Sequence, residues 1–327
     1  MSYILVTGGA GYIGSHICQK LADTGHTPLV LDNFSNGHKD AVSSFSVIEG
    51  DLLDKKLLRK CFQEYEIDAV IHTAGLIEAG ASMHDPAPFY ENNTIGSINL
   101  LEAMRGVNIK KIVFSSTAAL YGNCKSELLN ESFPVAPINP YGKSKAIVED
   151  ILLDYASIYQ FKVVALRFFN AAGADPEIRL GERHNPESHL IPLALQTASG
   201  SRSAMKIYGT DYDTHDGTCI RDFVHVDDLA TAHVRALHWL SNRPTATFEA
   251  INIGTGYGNS VKEILSHAID ITGIKFTVTE EKRRSGDPDR LVADVQKANV
   301  ILNWEAQYTD PRDIIRHAWA FEKKING

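Results

Sequence analysis

The sequence predicts an α/β fold: a doubly wound parallel sheet in the first half, followed by a smaller α/β C-terminal region. Three observations carry this. Short apolar runs alternate with helical patterns from Tyr3 to Arg167, and such alternation implies crossover connections and a parallel sheet covered on both faces. The run Lys111-Ile112-Val113-Phe114-Ser115 is almost continuously apolar, as a strand buried on both faces should be. A glycine-rich turn, Thr7-Gly8-Gly9-Ala10-Gly11-Tyr12-Ile13-Gly14, joins the first apolar run to the first helical pattern.

In chain order, strands are expected at Tyr3–Thr7, Thr27–Asp32, Ser46–Glu49, 69–74, 111–115 and 162–167. Helices are expected at 11–24, where Gly25 stops the pattern, at 53–65, around 89–105 and at 141–159. The rhythm breaks after Arg167. Residues 170–192 are rich in Gly, Pro, Glu and Asn and read as a loop or lid, and 208–218 as a second turn-rich loop. Further helices are expected at Val226–Ser241, Val261–Thr272 and 295–303. There is no internal repeat and no low-complexity tract.

A chain of 327 residues accommodates two domains. Its 44% hydrophobic and 22% charged residues are ordinary for a globular protein. The net charge of −8 speaks against non-specific nucleic-acid binding, which needs a basic surface. An anionic small molecule is still compatible, because local arginines and helix N-termini can hold phosphate. Cys18, Cys61, Cys124 and Cys219 are scattered without C-x-x-C spacing and read as reduced thiols. No run approaches the roughly 18 apolar residues of a membrane helix, and the N-terminus enters a strand directly, so a cytoplasmic protein without a membrane partner is expected.

The glycines at 8, 11 and 14 permit a tight turn, close approach of backbone to a pyrophosphate, and close packing of helix on strand. The helix N-terminus presents free N–H groups to the phosphates. The second strand ends in Asp32, 18 residues after Gly14. A carboxylate there accepts from an adenosine ribose and repels a 2′-phosphate, which favours NAD over NADP. Asp51 follows the third strand, where it either contacts the adenine amino group or caps the next helix.

Tyr141 and Lys145 are four apart and share one face of the helix that opens after Pro140. A tyrosine with its ordinary pKa of about 10 is a poor base. A nearby ammonium and a positive nicotinamide would lower it, so that Tyr141 could take a hydroxyl proton as hydride leaves the same carbon. Thr117, in Ser115-Ser116-Thr117, ends the preceding strand and offers a hydroxyl to bridge substrate and Tyr141.

Together these residues resemble the extended short-chain dehydrogenase/reductase family, within it the UDP-galactose 4-epimerases. Four further stretches carry the likeness: Phe114 to Gly122, Pro140 to Lys145, Arg167 to Ala174, and Asp216 to Val226; a fifth is Arg283-Arg284-Ser285-Gly286-Asp287. The resemblance runs from Tyr3 to about Trp304. It implies a Rossmann-type NAD-binding domain over 1–169, which also receives segments from about 221–255, and a nucleotide-sugar domain over 170–327. It implies catalysis by Tyr141, Lys145 and Thr117. The cofactor would be held by Gly8, Gly11, Tyr12, Ile13, Gly14, Asp32, Asn33, Asp51, Leu52, Ala74, Gly75, Asn93, Tyr141, Lys145 and Phe169. Thr117, Asn170, His189, Leu190, Tyr208, Arg221, Arg284 and Asp287 would hold a UDP-sugar, with Arg221 and Arg284 on its diphosphate. A homodimer through the helices at 89–105 and 141–159 is also implied.

Three positions depart from the pattern. Ile77, followed by Glu78, stands where many relatives have a lysine that reaches the cofactor phosphates; His189 replaces an asparagine found in some members; Leu291 holds a position that is tyrosine in some relatives and small in others, where bulky N-acetyl groups are gated. The implied reaction is C4 epimerisation of a UDP-hexose between UDP-galactose and UDP-glucose, with UDP-N-acetylhexosamines or UDP-uronic acids as alternative substrates. Ala118 and Ala119 follow Thr117, where a 4,6-dehydratase needs an acid and a base, and this also weakens a decarboxylase reading. A non-catalytic sensor would have no need of Thr117, Tyr141 and Lys145 together. His72, His184 and His215 lack metal-ligand spacing and read as structural or surface residues; no metal is expected.

Overall fold

The computed structural model describes residues 2–284 and 286–326, so Ser285 of the Arg283 to Asp287 stretch lies outside the described residues. Seven strands form one sheet: β1 (Tyr3–Thr7), β2 (Thr27–Asp32), β3 (Ser46–Glu49), β4 (Ile67–His72), β5 (Lys111–Thr117), β6 (Lys162–Phe168) and β7 (Thr247–Ile253). Their spatial order is β7-β6-β5-β4-β1-β2-β3, and every neighbouring pair is parallel. The first six strands follow the 3-2-1-4-5-6 order of dinucleotide-binding sheets. β4 begins and ends two residues earlier than the pattern suggests, because Ala74 leaves the sheet to lie against Gly8.

Successive residues of a strand point to opposite faces, and both faces are apolar here. Ile4, Val6, Val30, Val113 and Val164 pack against Ile17 and Leu21 of α1 (Tyr12–Asp23). Leu5, Leu29, Phe114 and Val163 point the other way, toward α2 (Lys55–Glu64), α3 (Gly96–Gly106) and α4 (Pro140–Tyr159). The expected helix at 89–105 divides into a short turn at Ala87–Phe89, a π-helical segment at Tyr90–Ile95 and then α3.

The expected loop at 170–192 ends early, because α5 (Leu190–Ala198) already begins inside it. Pro192 is its third residue, where the amide has no intrahelical partner to lose, so proline does not stop the helix. α6 (Val226–Ser241) then lies against α1, contributing Leu229 and Leu237 to the core that α1 helps to form, and β7 adds to the free edge of β6 from Thr247↔Lys162 to Ile253↔Phe168. A separate core holds Ile191 and Leu195 of α5 together with Met205 and Ile207. Ile264 and Leu265 of α7 (Val261–Thr272) and Ile314 and Ile315 of α8 (Pro311–Asn326) complete it.

Candidate active site

The strand order reverses between β1 and β4, and ligands of open α/β sheets bind where such a reversal opens a crevice. A cavity of about 360 Å³ occupies that place. Its floor is the glycine loop. Gly8 has φ +69°, and a Cβ on it would sit 2.7 Å from the backbone of Ala74; a Cβ on Gly14 would sit 2.1 Å from the Gly8 carbonyl oxygen. Only glycine leaves this cradle open, and Gly11, the N-cap of α1 with no side-chain cap bond, lines the cavity with the first turn of that helix. These features fit a dinucleotide. Tyr12 and Ile13 line the same wall, and the Tyr12 hydroxyl donates to the Gly173 carbonyl oxygen at 2.7 Å.

Asp32 closes one end. Its two carboxylate oxygens accept from the amides of Ala10 at 2.9 Å and Phe34 at 2.8 Å, so it braces the glycine loop from the tip of β2. Burial raises its pKa, opposed by those two amides. Asn33 donates to Asp51 at 2.7 Å, and Asp51 also accepts from the Leu53 amide at 2.8 Å. The N-cap of α2 is Asp54, not Asp51, which leaves Asp51 on the cavity wall beside Leu52. The Ser35-Asn36-Gly37 turn also lines the cavity. Its Asn-Gly pair is a turn signal, the one local trace of this wall in the sequence.

Opposite, the chain leaving β4 carries Ala74 and Gly75 over the loop. Asn93 does not line the cavity. From the π-helical segment its amide bonds both the N–H and the C=O of Leu76, at 2.8 and 3.0 Å, and donates to Ser144 at 3.0 Å. It thus pins the cavity edge to α4.

Helix α4 begins with Asn139 as N-cap, accepting from the Gly142 amide at 2.8 Å, and Pro140 at N1. This start places Tyr141 at the cavity, one turn before Lys145. Tyr141, Lys145 and Thr117 are 8%, 4% and 8% exposed, so the three reactive groups are dry. Lys145 donates to the Ser115 carbonyl oxygen at 3.1 Å, and its ammonium lies 4.9 Å from the centre of the Phe114 ring. Burial lowers its pKa to about 8. Tyr141 departs from expectation. Burial raises its pKa, and the hydrogen bond with the Thr117 hydroxyl opposes this. The Lys145 ammonium is turned to the backbone of β5. Thr117 accepts from the Ala119 amide at 3.1 Å, which fixes its side chain at the end of β5.

Below the triad, Glu149 on α4 accepts from Ser116 at 2.5 Å and from Arg167 of β6 at 2.6 Å; Arg167 reaches Tyr121 at 3.1 Å, and Tyr121 donates to Asn252 of β7 at 2.6 Å. This buried network ties four elements together under the site.

The remaining residues divide. Phe169, Asn170, His189, Arg221, Asp287, Leu291, Ile77 and Glu78 line the cavity. Arg221 is held by Asp287 at 3.2 Å. Leu190, Tyr208 and Arg284 do not line it. Leu190 opens α5 and packs on the second core. The Arg284 guanidinium lies 3.9 Å from the centre of the Tyr208 ring, a cation–π contact.

His72 is buried between Thr7 and Ser97, and His215 is exposed beside Glu263. The reading of His184 as structural or surface needs correction. The loop before α5 folds back and places His184 on the cavity wall with His189, against buried Glu182 and Glu187; one ligand-type atom from each of the four lies within 4.8 Å of the others.

The profile of the NAD dependent epimerase/dehydratase family matches residues 4–254. A UDP-glucose 4-epimerase of Rhizobium leguminosarum bv. trifolii is 48% identical over 99% of this chain and 98% of its own length. The crystal structure of UDP-glucose 4-epimerase from Brucella ovis in complex with NAD is 44% identical, with a TM-score of 0.94 over 98% of each chain. That of the Bifidobacterium longum enzyme in complex with NAD+ and UDP is 34% identical, with a TM-score of 0.94 over 99% of this chain and 98% of that one.

Proposed function

Since the chain belongs to the NAD dependent epimerase/dehydratase family, we propose that it is an NAD-dependent epimerase that interconverts UDP-galactose and UDP-glucose at C4. The observation that carries this is the dry Thr117, Tyr141 and Lys145 set beside a cradle that only glycine leaves open, with Ala118 and Ala119 where a dehydratase needs an acid and a base.

Bound NAD supplies a hydride acceptor that returns what it takes, so the C4 centre passes through a ketone and is reduced from either face. The protein's own groups do the rest. Tyr141 takes the C4 hydroxyl proton and gives it back. Thr117, anchored on the Ala119 amide, hydrogen-bonds the same oxygen. Lys145, which lines the cavity, would supply the positive charge that holds the cofactor. Asp32 selects a ribose without a 2′-phosphate. Arg221 holds the nucleotide diphosphate with Asn170 near it, and His189 lies along the nucleotide-sugar path; this anchors the sugar while leaving the hexose free to turn. Asp287 bonds the uridine ribose.

Residues 1–169 with segments from about 221–255 would form the cofactor domain and 170–327 the nucleotide-sugar domain, in a cytoplasmic homodimer. Exposed Leu153 and Ile158 of α4 suit that pairing of α3 and α4. The test is to incubate the protein with UDP-galactose, without added cofactor, and follow the sugar by NMR. UDP-glucose should appear without net change in NAD; no conversion even with NAD added would overturn the substrate, and a 4-keto-6-deoxy product would overturn the reaction.

A further inference from the structure

Glu182 and Glu187 lie buried beside the cavity, with side chains 4% and 3% exposed, and the reaction above gives them no task. Among the described residues their ionic partners are two histidines and no lysine or arginine. The Nδ1 atoms of His184 and His189 both bond the same Glu182 oxygen, His184 at 3.0 Å, and both lie 3.8 Å from Glu187. A carboxylate oxygen only accepts, so each Nδ1 carries a proton. Each Nε2 has no protein partner among the described residues, and both rings line the cavity.

Charge decides the state of these rings. The amides of Ser188 and His189 donate to Glu187 at 2.7 and 2.9 Å, but with neutral imidazoles neither buried carboxylate would face a cation, which is costly. Glu187 even keeps one buried oxygen, Oε2, without a hydrogen-bond donor. Two imidazolium ions balance the pair. Burial would lower His184, but hydrogen bonds and charge from Glu182 and Glu187 outweigh it and hold it at about 10. His189 is raised against burial by Glu182. The neighbours do not change this. Tyr12, edge-on to His184 at 6.1 Å, is kept neutral by burial and by both glutamates. Arg183 turns away to Asp40, and Glu322 adds only more negative charge near Glu187. Meanwhile the cavity wall carries Asp32, Asp51, Glu78 and Asp287 against Lys145 and Arg221, a poor balance for an anionic ligand.

We propose that Glu182 is a positioning residue that holds His184 and His189 as imidazolium ions, and that their two Nε2–H groups form a diphosphate-binding site on the cavity wall. This rests on reading the cavity as a site for NAD and a UDP-sugar, either of which brings a diphosphate.

The test uses the purified holoprotein, with UDP as the probe. UDP affinity is measured by calorimetry from pH 6 to 9 for the wild type, Glu182→Gln and His189→Asn, alongside NAD content after gel filtration. Wild-type affinity should stay level from pH 6 to 8. Glu182→Gln should bind comparably at pH 6 but about tenfold more weakly at pH 8, because an unsupported imidazole loses its proton near its ordinary pKa of about 6.5. His189→Asn, a half-exposed position that keeps a polar group, should bind weakly with no such slope. If UDP affinity holds but the variants lose NAD as pH rises, the cofactor's diphosphate is the ligand and the site stands. Identical profiles and identical NAD content in all three proteins would overturn the site. So would a stoichiometric divalent metal in the wild type whose removal by chelator abolishes UDP binding. Both readouts are independent of turnover, so a protein that fails to epimerise UDP-galactose could still show the pH split.

Discussion

The Lys145 ammonium donates to the Ser115 carbonyl oxygen at 3.1 Å and so fastens α4, which carries Tyr141, to β5, which ends in Thr117. The bond forms where burial makes a charged lysine costly, and this has a measurable consequence.

The Lys145 pKa of about 8 lies below the value of about 10.4 for an exposed lysine. Between these values the unfolded chain binds more protons than the folded one, so stability from this group rises with pH there. Below pH 8 the full desolvation cost is present. Lys145→Met should therefore stabilise the cofactor-free protein at pH 7 by up to about 3 kcal/mol, with the advantage shrinking toward pH 10, while turnover falls. Urea midpoints at the two pH values decide this. A variant less stable at pH 7 would mean that the Ser115 bond outweighs the desolvation.

Tyr141→Phe removes the proton carrier and little else. Turnover should drop by about 10²–10⁴, with a melting temperature close to that of the wild type. The Tyr141 hydroxyl is buried and raised in pKa, so the phenylalanine relieves rather than adds a buried polar group. Retained turnover would assign the proton transfer elsewhere.

Much of this site was legible because its signals are local. The strands up to β6 announce themselves as apolar runs between helical patterns, and Tyr141 and Lys145 sit one turn apart behind an Asn-Pro helix start. What was not legible depends on distant partners. β7 reads as Thr-Phe-Glu-Ala-Ile-Asn-Ile; the family resemblance alone implies that its stretch joins the first domain, and no motif of its own says that it pairs with β6, whose residues precede it by 85 positions in register. The contact between Arg284 and the Tyr208 ring is one that spacing does not reveal. The meeting of His184 and His189 with Glu182 and Glu187 depends on how a loop folds back, and the spacing has no regular period to betray it.

The Arg167–Glu149 pair, with side chains 7% and 6% exposed, should behave as a buried ion pair does when half of it is removed. Arg167→Met leaves the buried Glu149 with Ser116 as its one side-chain partner among the described residues and should cost about 3–5 kcal/mol. The double variant Arg167→Met with Glu149→Met should recover part of this. Equilibrium urea unfolding of the three variants tests it. A single variant of wild-type stability would show the pair to be solvated.

Asp32→Asn tests the brace on the glycine loop. Both carboxylate oxygens accept backbone amides. An asparagine has one acceptor oxygen, so its amino group must face either Ala10 or Phe34, donor against donor. A cost of about 1–3 kcal/mol in folding is expected, with loss of NAD during gel filtration. Unchanged NAD retention would show that the loop holds its shape without Asp32.

Gly142→Ala separates position from stability. A Cβ at 142 would stand 2.8 Å from the Ala119 carbonyl oxygen and 3.1 Å from Pro137 Cβ. The carbonyl belongs to the turn whose amide Thr117 holds, so relief must come from a shift of α4 away from β5. Alanine within a helix gains about 0.5–1 kcal/mol over glycine, and this offsets part of the strain, so the melting temperature should move by only a few degrees. The distance between Tyr141 and Thr117 has no such compensation. A displacement of a few tenths of an ångström should cost about tenfold in kcat, given that a full ångström costs about 10²-fold. UDP affinity should hold, because the nucleotide anchors lie on other elements. A loss of UDP binding equal to the loss of kcat would place the strain in the whole cavity rather than between these two side chains.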